Sequence, residues 1–295
     1  MAMRETRKQT ALPMRDRVNA VLGDVRVTKE ELASLHQGLV ERLGRSVESQ
    51  RTADAEFDAL LKTSLGDVEP RKEDREIVAK LKHREKRWVM PKLVAPACMD
   101  VEPSLQGGSI ISVLAPPYQS AMDTSNNRWT YAKKANGEFG VGGTNGSQSM
   151  AGFWSFMSPA RPGARVQFAP VFQVEYFAQL FTYTPLLAWY GVSRASAYLA
   201  IGAYVQAMYP DGRRLPLVDK REVLVDRRVS IRDNLTVSDY RGQAVIADFV
   251  SPEPNVRVAM CAWAHCVTTE RSSPYAFSAA SLVGRVPFTW IVQNV

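Results

Sequence analysis

The chain has 295 residues, 45% of them hydrophobic and 23% charged, with a formal net charge of +7. The length predicts one large domain or two ordinary ones, with material for a real core. No run approaches the roughly 18 apolar residues of a membrane-spanning helix, and no apolar stretch follows the basic start at Arg4, Arg7 and Lys8, so a secretory signal is not expected. A cytoplasmic protein is the default expectation, with a specialised export route or lysis as the other ways out.

Residues 1–27 are basic, lack a clear period and read as a mobile or partner-ordered segment. Thr28 and Glu31 then have capping-box spacing. Leu32, Leu35, Leu39, Leu43 and Val47 follow at steps of three and four, a helical stripe, and helical character continues through Phe57, Leu60, Leu61 and Leu65. Gly66-Asp67 marks a stop. Pro70 restarts the pattern, Ile77, Val78 and Leu81 give a narrow stripe, and Pro91 ends it. The segment 28–92 is therefore expected to be a helical arm, a hairpin or a bundle. Its narrow apolar stripes and charged flanks suit oligomerisation or docking, although the heptads are not sustained. Arg71 to Arg87 is its most basic stretch and reads first as a solvated helix face, second as a phosphate or membrane-surface contact.

Aromatic content divides the chain. Of 27 Phe, Trp and Tyr, only Phe57 precedes Trp88. From Leu93 onward alternation replaces the helical period. Strands are expected at Val166–Phe168, Phe172–Leu180, Leu199–Ala207, Val223–Val229, Ala244–Val250, Val256–Thr268 and Ser281–Val292. For 193–208 the alternation and aromatics favour a strand over an alanine-rich helix. Pro210-Asp211-Gly212 signals a turn. The fold class expected is α+β: a mobile 1–27, a helical arm over 28–92, and an antiparallel β-sandwich or jelly roll over 93–295.

The glycine-rich stretch Gly137 to Gly152 lacks the Lys-Ser/Thr of a phosphate-binding loop and is expected to be a flexible hairpin or rim loop. Cys261, His265 and Cys266 have the look of a metal set. On a strand, however, Cys261 and His265 stand about 13 Å apart and Cys266 faces the other way, so no metal is expected. The same geometry opposes a Cys261–Cys266 disulfide. Cys98, Cys261 and Cys266 read as reduced thiols. A Cys98 or Cys266 nucleophile would depend on His265, and no spacing supports that pairing. Glu175, Asp248 and Glu253 are the strand-borne acids from which a glycosidase pair could be drawn.

Around Glu175 one strand face reads Gln173, Glu175, Phe177, Gln179, Phe181, Tyr183. Amides, a carboxylate and rings on one surface suit sugar binding; a subunit interface or packing surface is the bland alternative. The tryptophans Trp129, Trp154, Trp189, Trp263 and Trp290 add aromatic capacity, chiefly as core or interface residues.

Two resemblances add to this. Ala115-Pro116-Pro117-Tyr118, Ser149 through Trp154 and Arg165 through Pro170 resemble uncharacterised bacterial β-sandwich proteins over about 105–295. That implies a fold and no activity, and those proteins often lack a long helical arm. Tyr198 through Ala203 followed by Leu217-Val218-Asp219-Lys220-Arg221 resembles plant-virus cell-to-cell movement proteins over about 198–292, with Asp219 at their strand-end acid. That would imply single-stranded nucleic-acid binding and tubule or plasmodesmal targeting. The expected function is a non-enzymatic binding or structural protein, without cofactor, its arm assembling subunits and its β head recognising a glycan or protein surface. A movement-type nucleic-acid binder and a glycan-processing enzyme using Glu175 are the alternatives.

Overall fold

In a computed structural model the described residues are 27–44, 72–88, 109–124, 129–158, 162–183, 193–271 and 275–294. Helix α1 covers 29–44 and α2 covers Lys72–Arg87. The strands are β1 (Ser109–Leu114), β2 (Ser120–Asp123), β3 (Tyr131–Lys133), β4 (Glu138–Thr144), β5 (Gln148–Met157) and β6 (Arg165–Tyr183), followed by β7 (Arg194–Met208), β8 (Arg214–Ser230), β9 (Arg232–Ala244), β10 (Ala247–Val250), β11 (Arg257–Arg271) and β12 (Ala276–Asn294).

All pairings are antiparallel, in two sheets. The five-stranded sheet runs β2-β5-β11-β7-β8. The seven-stranded sheet is built on β6 and β12, with β9 and β10 beside β6, β4 and β1 beside β12, and β3 beyond β4. Several connections cross between the sheets: β4 leads to β5, β6 to β7, and β8 to β9. The inward residues of both sheets form one core, in which Phe139, Phe168, Phe172 and Leu282 face Phe153, Leu199, Ile201 and Met260. The antiparallel sandwich expected from alternation is thus the observed architecture. The strand reading of 193–208 holds as β7, and Gly212 occupies its turn at φ +85°.

Three sequence expectations need correction. The glycine-rich stretch is neither a hairpin nor a rim loop: its strands β4 and β5 lie in different sheets, and Val141, Met150, Phe153 and Trp154 there are buried. Asn145 and Gly146, at φ 44° and +80°, turn the chain from one sheet to the other. The separate strands at Val166 and Phe172 are one 19-residue strand, β6. The region Ala244–Val250 straddles a break, since β9 ends at Ala244 and β10 begins at Ala247.

The capping box is present: the Thr28 amide donates to Glu31 Oε2 at 3.0 Å, and the Glu31 amide donates to Thr28 Oγ1 at 3.1 Å. The leucine stripe of α1 is spent inside the chain. Leu35, Leu39 and Leu43 are buried with Trp154, Phe156, Tyr204, Met208 and Trp263 on the outward face of the five-stranded sheet. Arg257 donates to Glu31 at 2.8 Å, Arg214 to Ser34 at 2.9 Å, and Arg42 to Asp219 at 2.9 Å. The remainder of the expected hairpin, Val47 to Leu65, and the stop at Gly66-Asp67 lie outside the described residues, as do residues 1–26. Helix α2 lies at the other sheet, where Ile77 packs with Phe181 and Phe277. No described helix is long and apolar enough to cross a membrane.

Candidate functional site

Strand alternation puts Phe172, Val174, Tyr176, Ala178 and Leu180 of β6 inward, so Gln173, Glu175, Phe177, Gln179, Phe181 and Tyr183 share the outward face of the seven-stranded sheet. The neighbours then split the six. Gln173 is buried, and its Oε1 accepts from Arg285 Nε at 2.6 Å. Phe181 packs with Ile77, Trp88 and Phe277. The Arg232 guanidinium sits 5.0 Å from the centre of the Tyr183 ring. Glu175, Phe177 and Gln179 remain half-buried between these fixed points.

Across from this trio stands β9. Its register places Tyr240 opposite Glu175, Ser238 opposite Phe177 and Thr236 opposite Gln179. Directly opposite side chains lie about 5 Å apart, and Glu175 and Gln179 each stand about 6.6 Å from Phe177 along the strand. One ring is therefore surrounded by a carboxylate, an amide, two hydroxyls and a phenol. On the opposite side β12 supplies Val283, Ser281 and Ala279, all buried. The accessible strip is the β6–β9 side. The outer edge of β9 has no strand partner among the described residues. Asp233 and Asp239 accept from the amides of Asn234 and Tyr240, both at 2.8 Å, which occupies two edge donors.

The other candidates are not brought together. Asp248 on β10 is opposite Gln167, eight residues along β6 from Glu175, or about 26 Å. Glycoside hydrolysis needs its two carboxyls within about 5–9.5 Å. Glu253 is exposed in the turn after β10. Cys261 and His265 face outward from the five-stranded sheet, while Cys266 faces the core, where its thiol donates to the Ala280 carbonyl at 3.6 Å. Adjacent in sequence, Cys266 and His265 are on opposite faces. Cys98 lies outside the described residues. Burial pushes the Cys266 thiol up to about 12 and raises Cys261 as well. His265 lies 3.2 Å from Gln148 Nε2, and burial, then the Arg221 charge, holds it down at about 3. An imidazole so weakly basic and two thiols so hard to ionise are poor equipment for nucleophilic catalysis. No group of three or more His, Cys, Asp or Glu among the described residues could hold a metal ion.

Asp219 has a structural position. Its side chain is 9% exposed and accepts from Arg42 at 2.9 Å and from Arg221 at 3.2 Å, tying α1 to β8.

Sequence reasoning missed Thr236, Ser238 and Tyr240 because it missed β9. The signal was present: Leu235 and Val237 alternate with polar residues, but Asp233, Asp239 and Arg241 on the same parity mask the apolar face.

The chain matches no family model and no curated protein. Among solved structures it is similar to a carbohydrate-binding module of the β-sandwich superfamily, at 15% identity over 63% of this chain and 58% of that one, with a TM-score of 0.23. The C-terminal family 22 carbohydrate-binding module of Clostridium thermocellum Xyn10B follows at 10% identity, 61% and 86% coverage and a TM-score of 0.16. A structure of infectious bursal disease virus, Gx strain, matches at 10% identity, 69% and 42% coverage and a TM-score of 0.16. TM-scores this low carry no argument about ligand or fold, and the site rests on the chain's own geometry.

Proposed function

We propose that the chain is a non-enzymatic recognition protein whose head is wound as a jelly roll and binds a glycan on the β6–β9 strip. The jelly-roll reading is supported by the strand order, with β12 between β4 and β6, β11 between β5 and β7, and the β4–β5, β6–β7, β8–β9 and β11–β12 connections crossing between sheets. The binding reading is carried by one observation: the half-buried Phe177 ring sits between Glu175 and Gln179 and opposite Ser238, with Thr236 and Tyr240 beside it. A sugar presents a C–H face to a ring and hydroxyls around its rim. The ring supplies the apolar platform, and the flanking groups accept from or donate to the hydroxyls.

Glycan-array screening followed by titration calorimetry tests this. Wild type should retain a glycan, leave it uncleaved, and lose about tenfold in affinity on Phe177→Ala, in keeping with about 1.4 kcal/mol for a stacked ring. Phe288→Ala, on the far half of the same sheet, should bind like wild type. Absence of any retained glycan, or equal loss from both variants, would sink the reading.

A further inference from the structure

Helix α1 carries His36 on its docked side. His36 is 5% exposed, and neither ring nitrogen has a hydrogen-bond partner. Among the described residues, the ionisable groups on the surface beneath α1 come from three strands. β8 contributes Arg214, Asp219 and Arg221; β7 contributes Tyr198 and Tyr204; β11 contributes Arg257, Cys261 and His265. β2 and β5 contribute Met122, Met150, Trp154 and Phe156, none of them ionisable. From α1 itself, Glu31 and Arg42 reach the sheet, while Lys29, Glu30 and Glu41 are exposed.

Among the described residues the interface thus holds four guanidiniums against two carboxylates, each already bonded to a guanidinium, Asp219 through Oδ2 with its buried Oδ1 unpartnered. Asp219 is shared by Arg42 and Arg221, and Glu31 bonds Thr28 and Arg257. A proton added to His36 would create a buried cation bonded at neither ring nitrogen, beside described residues of net positive charge, a costly arrangement for a folded protein.

We infer that α1 is an acid-releasable cover: protonation of His36 undocks it from the five-stranded sheet while the two sheets stay paired, exposing the face built from Trp154, Tyr204 and Trp263. Once released, a 16-residue helix has little stability of its own and melts. Burial holds His36 down at about 4, against an ordinary 6.5. The docked form therefore binds the proton less tightly than the released form. Docking is at full strength above about pH 6.5 and weakens as pH falls toward 4. Glu31 is held low by the Thr28 amide and then by Arg257. Its contribution is present above its ordinary value of 4.5 and is lost on further acidification, so both groups act in one direction.

Hydrogen exchange by mass spectrometry on the full chain, between pH 7 and 4.5 and corrected for intrinsic rates, reads this directly. The opening constant of peptides within 29–44 should rise by up to about tenfold per pH unit below 6.5, the slope of one proton, while peptides within 257–271 show no such rise. His36→Phe should flatten the slope to less than about twofold per unit down to pH 5, since that side chain takes no proton. His36→Gln gives the same reading if the phenylalanine disturbs folding. A flat wild-type slope, opening of α1 and β11 together, or a slope kept in both variants would overturn the inference.

Discussion

The two outward faces of the sandwich are made by the same strand alternation and end differently. On the five-stranded sheet the outward residues include Met150, Trp154, Phe156, Tyr204, Met208 and Trp263, and a leucine-striped helix lies over them. On the seven-stranded sheet they include Gln173, Glu175, Phe177, Gln179 and Tyr183, and α2 reaches only the Phe181–Phe277 end. An outward face this rich in large apolar side chains must be covered. One that interleaves amides and a carboxylate with its rings can stay open and meet a ligand. The comparison predicts that substitutions on the first face cost stability and substitutions on the second cost binding.

The largest effect should come from the cover itself. Leu39 is 1% exposed at the middle of the α1 stripe. Leu39→Ala should cost about 3 kcal/mol, the transfer term plus the cavity, measured by urea denaturation. A loss under about 1 kcal/mol would mean that the sheet does not need its helix. Next is the floor beneath it. A Cβ at Gly202 would stand 2.1 Å from Trp263 Cζ2 and 2.7 Å from the Lys220 carbonyl oxygen. Gly202→Ala must push the buried indole off its place and should cost about 2 kcal/mol, with a changed tryptophan emission as the accompanying signature.

Gly202 also shows why parts of this fold were readable and parts were not. The strands that became β6, β7, β11 and β12 announce themselves by alternation, because each supplies large inward residues. The capping box at Thr28 and Glu31 marked the start of α1. The strands β4 and β5 were hidden by glycines whose role is spatial. A Cβ at Gly152 would lie 2.7 Å from Cys261 Sγ, so the small residue makes room for a neighbour that sequence alone does not place there. The leucine stripe was legible as a stripe, but its destination was not. Amphipathicity states that a face must be covered, and leaves open whether a sheet of the same chain or another subunit covers it. For the site, alternation grouped all six β6 residues. Which of them are engaged depended on Arg285, Trp88 and Arg232, far away in sequence.

Asp219 gives a smaller effect that also separates two readings. Its carboxylate joins Arg42 to Arg221 near the edge of the five-stranded sheet. Asp219→Asn keeps the shape and removes the charge, and should cost about 1 kcal/mol, since Arg42 is half-exposed and water can replace its partner. The loss should show as raised exchange within 29–44. Unchanged protection there would show that the pairing with Arg42 does not hold α1 to β8.

The smallest effect on stability should be at Phe177, and that is where the comparison is sharpest. Its ring is half-buried on a face whose other neighbours are Ser238 and the buried Ser281. Phe177→Ala removes packing from one side only, so the cost should stay near 0.5–1 kcal/mol in urea denaturation, well below the cost at a fully buried phenylalanine, about 3–5 kcal/mol. Its glycan affinity should nevertheless fall by about tenfold. A loss of several kcal/mol would show that Phe177 is a packing residue in disguise. The outward face of the seven-stranded sheet would then be covered like its counterpart, with its polar residues serving to fasten that cover.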